Sequence, residues 1–287
     1  MASTDEQLAA TLYTGPEAFL RERRSIFETA WLLLARSGAL QRPGDYVAHS
    51  LGGWPVFAIA DASGAPRVFR NVCRHQKLPL FDSGAGRCEQ IRCRYHGWTY
   101  DTAGRFISAP PQVAPSGALS RDLEAVTTEQ RHGLLFAYLD ESPPALAESL
   151  PALASALAGA RLGTLAFLTE TATDVDANWK LIMEQAIADH VPGVTRRVEW
   201  PSLILDFAEA GAVVHQVIVR SFRRTRILHH HYGAHATVVQ ATAQVAHWKT
   251  AALARQTALE TGAAAALPDS SELESFRSRV RAAHREG

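Results

Sequence analysis

The sequence predicts an α+β chain: a compact β domain followed by a domain of helices and antiparallel sheet. Three observations carry that reading. From Tyr46 to Tyr138 the apolar residues fall in short runs, such as Val56–Ala60 and Leu134–Tyr138, separated by Gly, Pro, Asp and Ser, the pattern of strands joined by turns. Farther on, apolar runs at 164–170, 202–208, 212–220, 225–232 and 236–245 have strand length and read as an antiparallel sheet. Stripes at helical spacing flank that second set.

In chain order, residues 5 to about 38 read as a helical arm, with Phe19, Ile26, Phe27, Trp31 and Leu34 near helical spacing and Pro43-Gly44 beyond as the stop. The β domain follows, and Ser142-Pro143-Pro144 breaks the chain before an Ala/Leu-rich connecting helix that runs to about Ala160. Val175 to His190 places Trp179, Met183, Ala186 and His190 on one helical face, and Leu273, Phe276 and Val280 form the stripe of the last helix. Ser271 and Glu274 have capping-box spacing at its start. The expected division is an arm over 1–40, a β domain over 41–145 and a helix-and-sheet domain over 146–287. No internal repeat is visible, and the alanine tract 263–266 is too short to count as low complexity.

Composition narrows the function classes. With 47% apolar and 20% charged residues in 287, the chain should fold around a sizeable core, and 287 residues suit two domains or one large one. Twenty-nine basic residues balance 29 acidic ones, so no net field favours a nucleic-acid backbone or an anionic membrane, and neither is expected as a partner. The longest strongly apolar run, Ala30 to Ala35, is far short of the roughly 20 residues a membrane span needs. The opening residues lack a basic segment followed by an apolar one, so no secretory signal is read and the expected home is the cytoplasm. Three cysteines cannot build a disulfide framework; beside histidines in a reducing compartment they point to metal.

Their spacing is the strongest signal in the chain. Cys73-x-His75 and Cys93-x-x-His96 are two mixed pairs separated by 17 residues. Each lets a tight loop present one thiolate and one imidazole, and two facing loops supply two sulfur and two nitrogen donors. That set suits tetrahedral zinc or a Rieske [2Fe–2S] cluster, in which two histidines replace two cysteines on one iron. Zinc sites of this composition commonly take both cysteines from one loop and both histidines from another, whereas here each loop mixes them, which is the Rieske arrangement. A structural zinc-binding module is the alternative of another class. Cys88 lies outside the pattern and is read as a structural or surface thiol.

The neighbours of these ligands carry a family resemblance. Asn71-Val72-Cys73-Arg74-His75, Cys93-Arg94-Tyr95-His96-Gly97-Trp98-Thr99-Tyr100-Asp101, Gly104-Arg105-Phe106 and Pro110 closely resemble the Rieske domain of the ring-hydroxylating oxygenase α-subunits. The likeness reaches back to Trp31, Pro43-Gly44-Asp45-Tyr46 and Val68-Phe69-Arg70, covering roughly residues 30 to 112. It implies a Rieske β domain joined to a shortened oxygenase catalytic-type domain. It also implies electrons from a separate NAD(P)H-dependent reductase or ferredoxin, a small organic substrate, and a trimer of like or related subunits. No Gly-rich dinucleotide fingerprint is present, so the chain itself is expected to bind no nucleotide.

In the second half the resemblance holds and then departs. Asn178-Trp179-Lys180-Leu181-Ile182-Met183-Glu184 is similar to the family's segment before the helix that binds a mononuclear iron through two histidines and a carboxylate. The family continues Asp-x-x-His-x(4)-His; in that register this chain has Ile187, His190 and Thr195. The third ligand, an aspartate in the helix after the sheet, is missing from Val245-Ala246-His247-Trp248-Lys249-Thr250. Asp189, His190 and His247 are the candidates for a non-standard mononuclear Fe(II) site, with the run His229-His230-His231 and His235 as further donors, and Asp189 and Glu184 are candidate electron relays. The reading is therefore an oxidoreductase component. It takes electrons at a [2Fe–2S] cluster held by Cys73, His75, Cys93 and His96 and delivers them to a mononuclear iron on a partner subunit. A self-sufficient oxygenase with an unorthodox ligand set is the alternative.

Overall fold

The computed structural model describes residues 8–113, 120–159, 162–263, 267–268 and 270–285. Residues 5–7 of the expected arm, Ala160 at the expected end of the connecting helix, and Ala264–Ala266 of the alanine tract lie outside the described residues. The chain forms two compact units: Trp31–Pro143, and the segments Met1–Ala30 and Pro144–Gly287 together.

In the Trp31–Pro143 unit the first element is a strand, β1 (Leu32–Arg36), and not the end of a helix as the sequence suggests. A short run such as Leu32-Leu33-Leu34-Ala35 has no periodicity to separate a buried strand from a buried helix turn, and here all four residues are buried. β2 (Asp45–Leu51) and β3 (Trp54–Ala60) form a hairpin whose two central residues, Gly52 and Gly53, have φ of 55° and 86°. Two positive φ values at a hairpin turn favour glycine pairs. β4 (Pro66–Arg70), β5 (Gly84–Arg87), β6 (Ile91–Arg92), β7 (Thr99–Tyr100), β8 (Phe106–Ser108), β9 (Thr127–Arg131) and β10 (Leu134–Tyr138) complete the unit. They make three antiparallel sheets, ordered β1-β10-β9, β4-β3-β2-β5 and β6-β7-β8. Phe57, Ile59, Phe69, Ile91, Trp98 and Tyr100 pack into a core that also contains Cys73 and Cys93.

The other unit opens with α1 (Thr11–Thr14) and α2 (Pro16–Glu22), extended by a wider turn over Arg23–Phe27. After the break at Pro143-Pro144 come α3 (Leu146–Ser149), α4 (Pro151–Gly159), β11 (Phe167–Val175), α5 (Trp179–Ala188), β12 (Thr195–Glu199), β13 (Leu203–Ala208), β14 (Gly211–Ser221) and β15 (Arg224–Gly233). The sheet is antiparallel, ordered β11-β15-β14-β13-β12. The chain ends in α6 (Ala236–Glu260) and α7 (Ser271–Arg285).

Three sequence expectations change. The run 236–245 begins α6 and is no strand: the buried residues of the helix are Thr237, Ala241, Gln244, Val245, Trp248, Ala252 and Gln256, which fall on one face at steps mostly of three and four. Val175 closes β11, and α5 starts only after Asn178, whose side-chain oxygen accepts the Lys180 amide as an N-cap. The cap of α7 is Ser270, one residue earlier than the spacing suggests: its hydroxyl accepts the Leu273 amide. The predicted stripe of Leu273, Phe276 and Val280 is buried.

The arm is fastened by two buried carboxylates. Glu22 accepts hydrogen bonds from Lys180 Nζ at 2.6 Å, Trp179 Nε1 at 2.9 Å and His284 Nε2 at 3.2 Å. Burial alone would raise the Glu22 pKa, but Lys180 and the other donors outweigh it and hold it below the ordinary value. Glu184 takes the Tyr13 hydroxyl and Arg255 at 2.6 Å each, and Arg277 at 3.2 Å. Among the described residues no helix is long and apolar enough to cross a membrane.

Candidate metal centre

Two loops in the Trp31–Pro143 unit repeat one backbone device. In the first, the Cys73 amide donates to Leu78 O at 2.8 Å and the Lys77 amide to Cys73 O at 2.9 Å. In the second, the Cys93 amide donates to Trp98 O at 2.8 Å and the Gly97 amide to Cys93 O at 2.9 Å. The fourth residue after each cysteine has a left-handed backbone, Lys77 at φ 59° and Gly97 at φ 71°. Asn71 pins the first loop: its side-chain oxygen accepts the Leu80 and Phe81 amides, and its NH₂ donates to Phe81 O. Arg94 ties the loops together through a two-pronged pair with Asp82 at 2.7 and 2.8 Å, which lowers the Asp82 pKa.

This device brings the predicted ligands together. The Cys73 and Cys93 side chains are buried, and the His75 and His96 rings lie 4.7 Å apart at 87°. His75 stacks on Trp98 with centroids 5.1 Å apart and planes 10° from parallel. Burial raises the Cys73 thiol, the Tyr100 hydrogen bond opposes that, and neighbouring Cys93 adds to it. The Tyr100 hydroxyl sits 3.3 Å from Cys73 Sγ and accepts the Arg74 amide at 3.1 Å. His75 Nδ1 is a buried polar atom without a hydrogen-bond partner among the described residues. An orphaned imidazole nitrogen beside two buried thiols is what an iron–sulfur cluster would satisfy, so these residues fit the group.

In the other unit the candidates are dispersed. α5 ends at Ala188, and Val191-Pro192-Gly193 leads directly into β12, so His190 and Thr195 do not share a helical face. Asp189 is already bound: Trp248 Nε1 donates to its carboxylate at 2.9 Å and Gln244 Nε2 at 3.3 Å, with Arg196 Nη1 at 3.9 Å. His190 is exposed, and His247 is exposed beside Trp248, off the buried face of α6. Among the described residues no three His, Cys, Asp or Glu side chains gather in a group able to hold a metal ion. That finding is compatible with the Cys73 site, because each iron of a Rieske cluster takes only two protein ligands. Glu184, expected as a relay, is the wholly buried anchor of the arm described above.

The histidine run is hydrogen-bonded core. His229 Nδ1 lies 2.8 Å from Nδ1 of His215, its register partner on β14, and His229 Nε2 is 3.2 Å from Thr173 Oγ1. His215 Nε2 in turn reaches Asp206 at 3.2 Å, and Arg196 grips the same carboxylate at 2.7 and 2.8 Å. Burial would raise Asp206, but its bonds to His215 and Arg196 bring it down to about 2. Burial pushes His229 down to about 2 and His231 to about 4, and the adjacent histidines add to both shifts. His231 Nε2 pairs with Thr171 at 3.0 Å, and His230 Nε2 lies 3.4 Å from Gln216.

A cleft of about 570 Å³ opens beside His190, between the end of α5, β12 and the first turns of α7. Its lining includes Glu199, Trp200, Phe276 and Arg279.

Residues 30–128 match the family model of the Rieske [2Fe-2S] domain. The chain carries a Rieske [2Fe–2S] domain. The chain is 30% identical over 181 residues to the glycine betaine monooxygenase oxygenase subunit of Chromohalobacter salexigens, a match covering 63% of this chain and 41% of that protein. To the chlorobenzene dioxygenase subunit alpha of a Cupriavidus species it is 31% identical over 192 residues, covering 63% of this chain and 42% of that one. The matches thus span about two-fifths of the length of these curated relatives. Among solved structures, the apo form of the quaternary ammonium Rieske monooxygenase CntA superposes with a TM-score of 0.82 at 18% identity, covering 98% of this chain and 95% of that one. The fold is therefore that of a Rieske oxygenase α-subunit, with a Rieske domain and a helix-and-antiparallel-sheet domain of the catalytic type.

Within the Rieske domain, sequence reasoning quoted Tyr100, Asn71 and Trp98 only as flanking residues and gave them no role. Their place beside the ligands, within the segments that carry the family resemblance, is the available signal. In the second domain it missed His215 altogether, because a lone histidine in a β-branched run looks like any buried polar residue until the register sets it opposite His229.

Proposed function

We propose that this chain is an electron-carrying component of a Rieske oxygenase system. It takes electrons from a separate reductase or ferredoxin and hands them to a mononuclear iron held by a partner subunit. The observation that carries this reading is a contrast. Cys73, Cys93 and the unpartnered Nδ1 of His75 converge with His96, whereas Asp189 is consumed by Trp248, Gln244 and Arg196.

Cys73, His75, Cys93 and His96 would hold the cluster, which supplies one-electron transfer. The chain's own residues set its surroundings. Once Cys73 is a thiolate its sulfur can only accept, so the Tyr100 hydroxyl donates to it and stabilises negative charge on that side of the site. Trp98 fixes the plane of the His75 ring, and Arg94–Asp82 keeps the second loop in register with the first. The half-buried His75 and His96 rings are the points at which charge and protons reach a docked partner.

A second reading, a self-sufficient oxygenase binding iron through His190 and donors outside the family's set, is favoured by the cleft beside His190, which is large enough for a small organic substrate. The names of the relatives point to such molecules: one acts on glycine betaine, another on chlorobenzene. Iron per chain on anaerobically purified protein, with EPR to separate the signals, decides between the readings. About two irons, all in the reduced cluster signal, support the partner-dependent chain. About three support the self-sufficient one, and zinc with a colourless preparation removes both.

A further inference from the structure

The cleft beside His190 contains a charge without a partner. Glu199 is 9% exposed and lines the cleft, yet no described residue donates a hydrogen bond to its carboxylate or lies within ion-pair distance of it. Its oxygens face the open cleft, so a ligand that displaces the water there must supply donors in its place. Burial raises its pKa, only partly opposed by the fields of Arg197 and Arg279. Arg279, exposed on α7, supplies the complementary charge at the cleft. Its guanidinium lies 4.6 Å from the centre of the Trp200 ring and makes no ion pair among the described residues. Ser271 and Ser275 line the same wall from the first turns of α7.

We infer that this cleft binds a small zwitterion, its protonated N–H amine on Glu199 and its acid group on Arg279. The pairing follows from the charge and hydrogen-bonding capacity that each group presents to the cleft. Glu199 needs donors as well as positive charge, so an ammonium carrying hydrogens satisfies it, whereas a quaternary nitrogen supplies charge and no hydrogen bond. Trp200 offers no free face to such a quaternary cation on the side that Arg279 covers. The guanidinium, always charged and forked, matches a carboxylate in two-pronged fashion. Phe276, 5.6 Å from Trp200, leaves an apolar wall for the carbon chain between the two ends.

This inference rests on reading the cleft as the substrate end of the chain, and its test measures binding alone, so it can fail while the iron count stands, and the reverse. Titration calorimetry on the full, cluster-loaded chain would use glycine, 4-aminobutanoate and 6-aminohexanoate, their N-trimethyl counterparts, butylamine and butanoate. At one chain length the amino acid should bind about 10-fold or more tighter than its trimethyl form and than either half-molecule. Glu199→Gln should abolish the preference for the N–H amine. Arg279→Met, at an exposed position on α7, should weaken the amino acid about 10-fold and leave butylamine unchanged. Melting temperatures of both variants verify folding, and should Glu199→Gln not fold, the Arg279→Met comparison decides alone. Equal binding of amine and trimethyl forms, unchanged affinity in a folded Glu199→Gln, an Arg279→Met that binds the amino acid as before, or no binding across the series overturns the inference.

Discussion

Acidification from pH 7 to pH 5 should destabilise this protein through two buried histidines, His229 and His231. Both have pKa values driven far down in the folded chain, to about 2 and about 4, because burial disfavours the charged ring and neighbouring histidines add to it. Unfolded, each returns to about 6.5. A depressed histidine pKa means that the unfolded chain binds the extra proton, so stability is complete above about pH 6.5 and falls as pH drops through the interval beneath it. Integrating from pH 7 to pH 5 gives about 1.9 kcal/mol for His229 and about 1.5–1.9 kcal/mol for His231, or roughly 3.5 kcal/mol together. The carboxylates held low by their partners, Glu22 and Asp206, lose their contribution only at more acidic pH, and Glu199, whose raised pKa acts with the opposite sign, is common to both proteins compared, the chain and its His229→Asn variant. Urea unfolding at half-unit steps of pH measures the slope. His229→Asn cannot titrate, so the variant should be less stable at pH 7 but should lose only about half as much between pH 7 and pH 5. An identical slope in the two proteins would refute the argument.

Three further outcomes are expected. His75→Ala should leave a chain that binds no Rieske cluster, seen as loss of visible absorbance and of the reduced EPR signal, while the far-ultraviolet CD spectrum is retained. Tyr100→Phe removes the only side-chain hydroxyl at Cys73 Sγ among the described contacts, and redox titration should find the cluster's midpoint potential lowered with its absorbance intact. Lys180→Met strands the Glu22 carboxylate in a site with no exposure and should cost about 3–5 kcal/mol by urea unfolding, whereas adding Glu22→Gln should return much of that loss.

The Rieske half was legible because its chemistry is local in sequence. Two loops each place a cysteine and a histidine within three residues, and the turn residues that shape them sit in the same short stretch. Leu32–Leu34 and the run 236–245 misled for a different reason. An apolar segment fully buried by its surroundings carries no alternation, and in the second case the helical spacing of Thr237, Ala241, Gln244 and Trp248 includes polar residues that do not read as a stripe. The region around Asp189 was half legible. Ile187, Thr195 and Trp248 are the departures on which the sequence reading expects the family's ligand set to be incomplete. That Trp248 itself engages Asp189, 59 positions away, depends on how α6 folds back, and only the structure shows it. Glu199 illustrates the same limit, since an acidic residue at a strand end is ordinary in sequence and becomes notable only when its burial is seen together with the lack of a donor among the described residues.

The paired loops differ in one place. Cys73 and Cys93 each sit at the mouth of a turn closed by its own amides and carbonyls, so the backbone itself holds both turns. Only one joint of the frame is held against its own preference: Lys77 adopts at φ 59° the backbone that glycine occupies at the matching point of the other loop, so the first turn is the one that would spring open soonest.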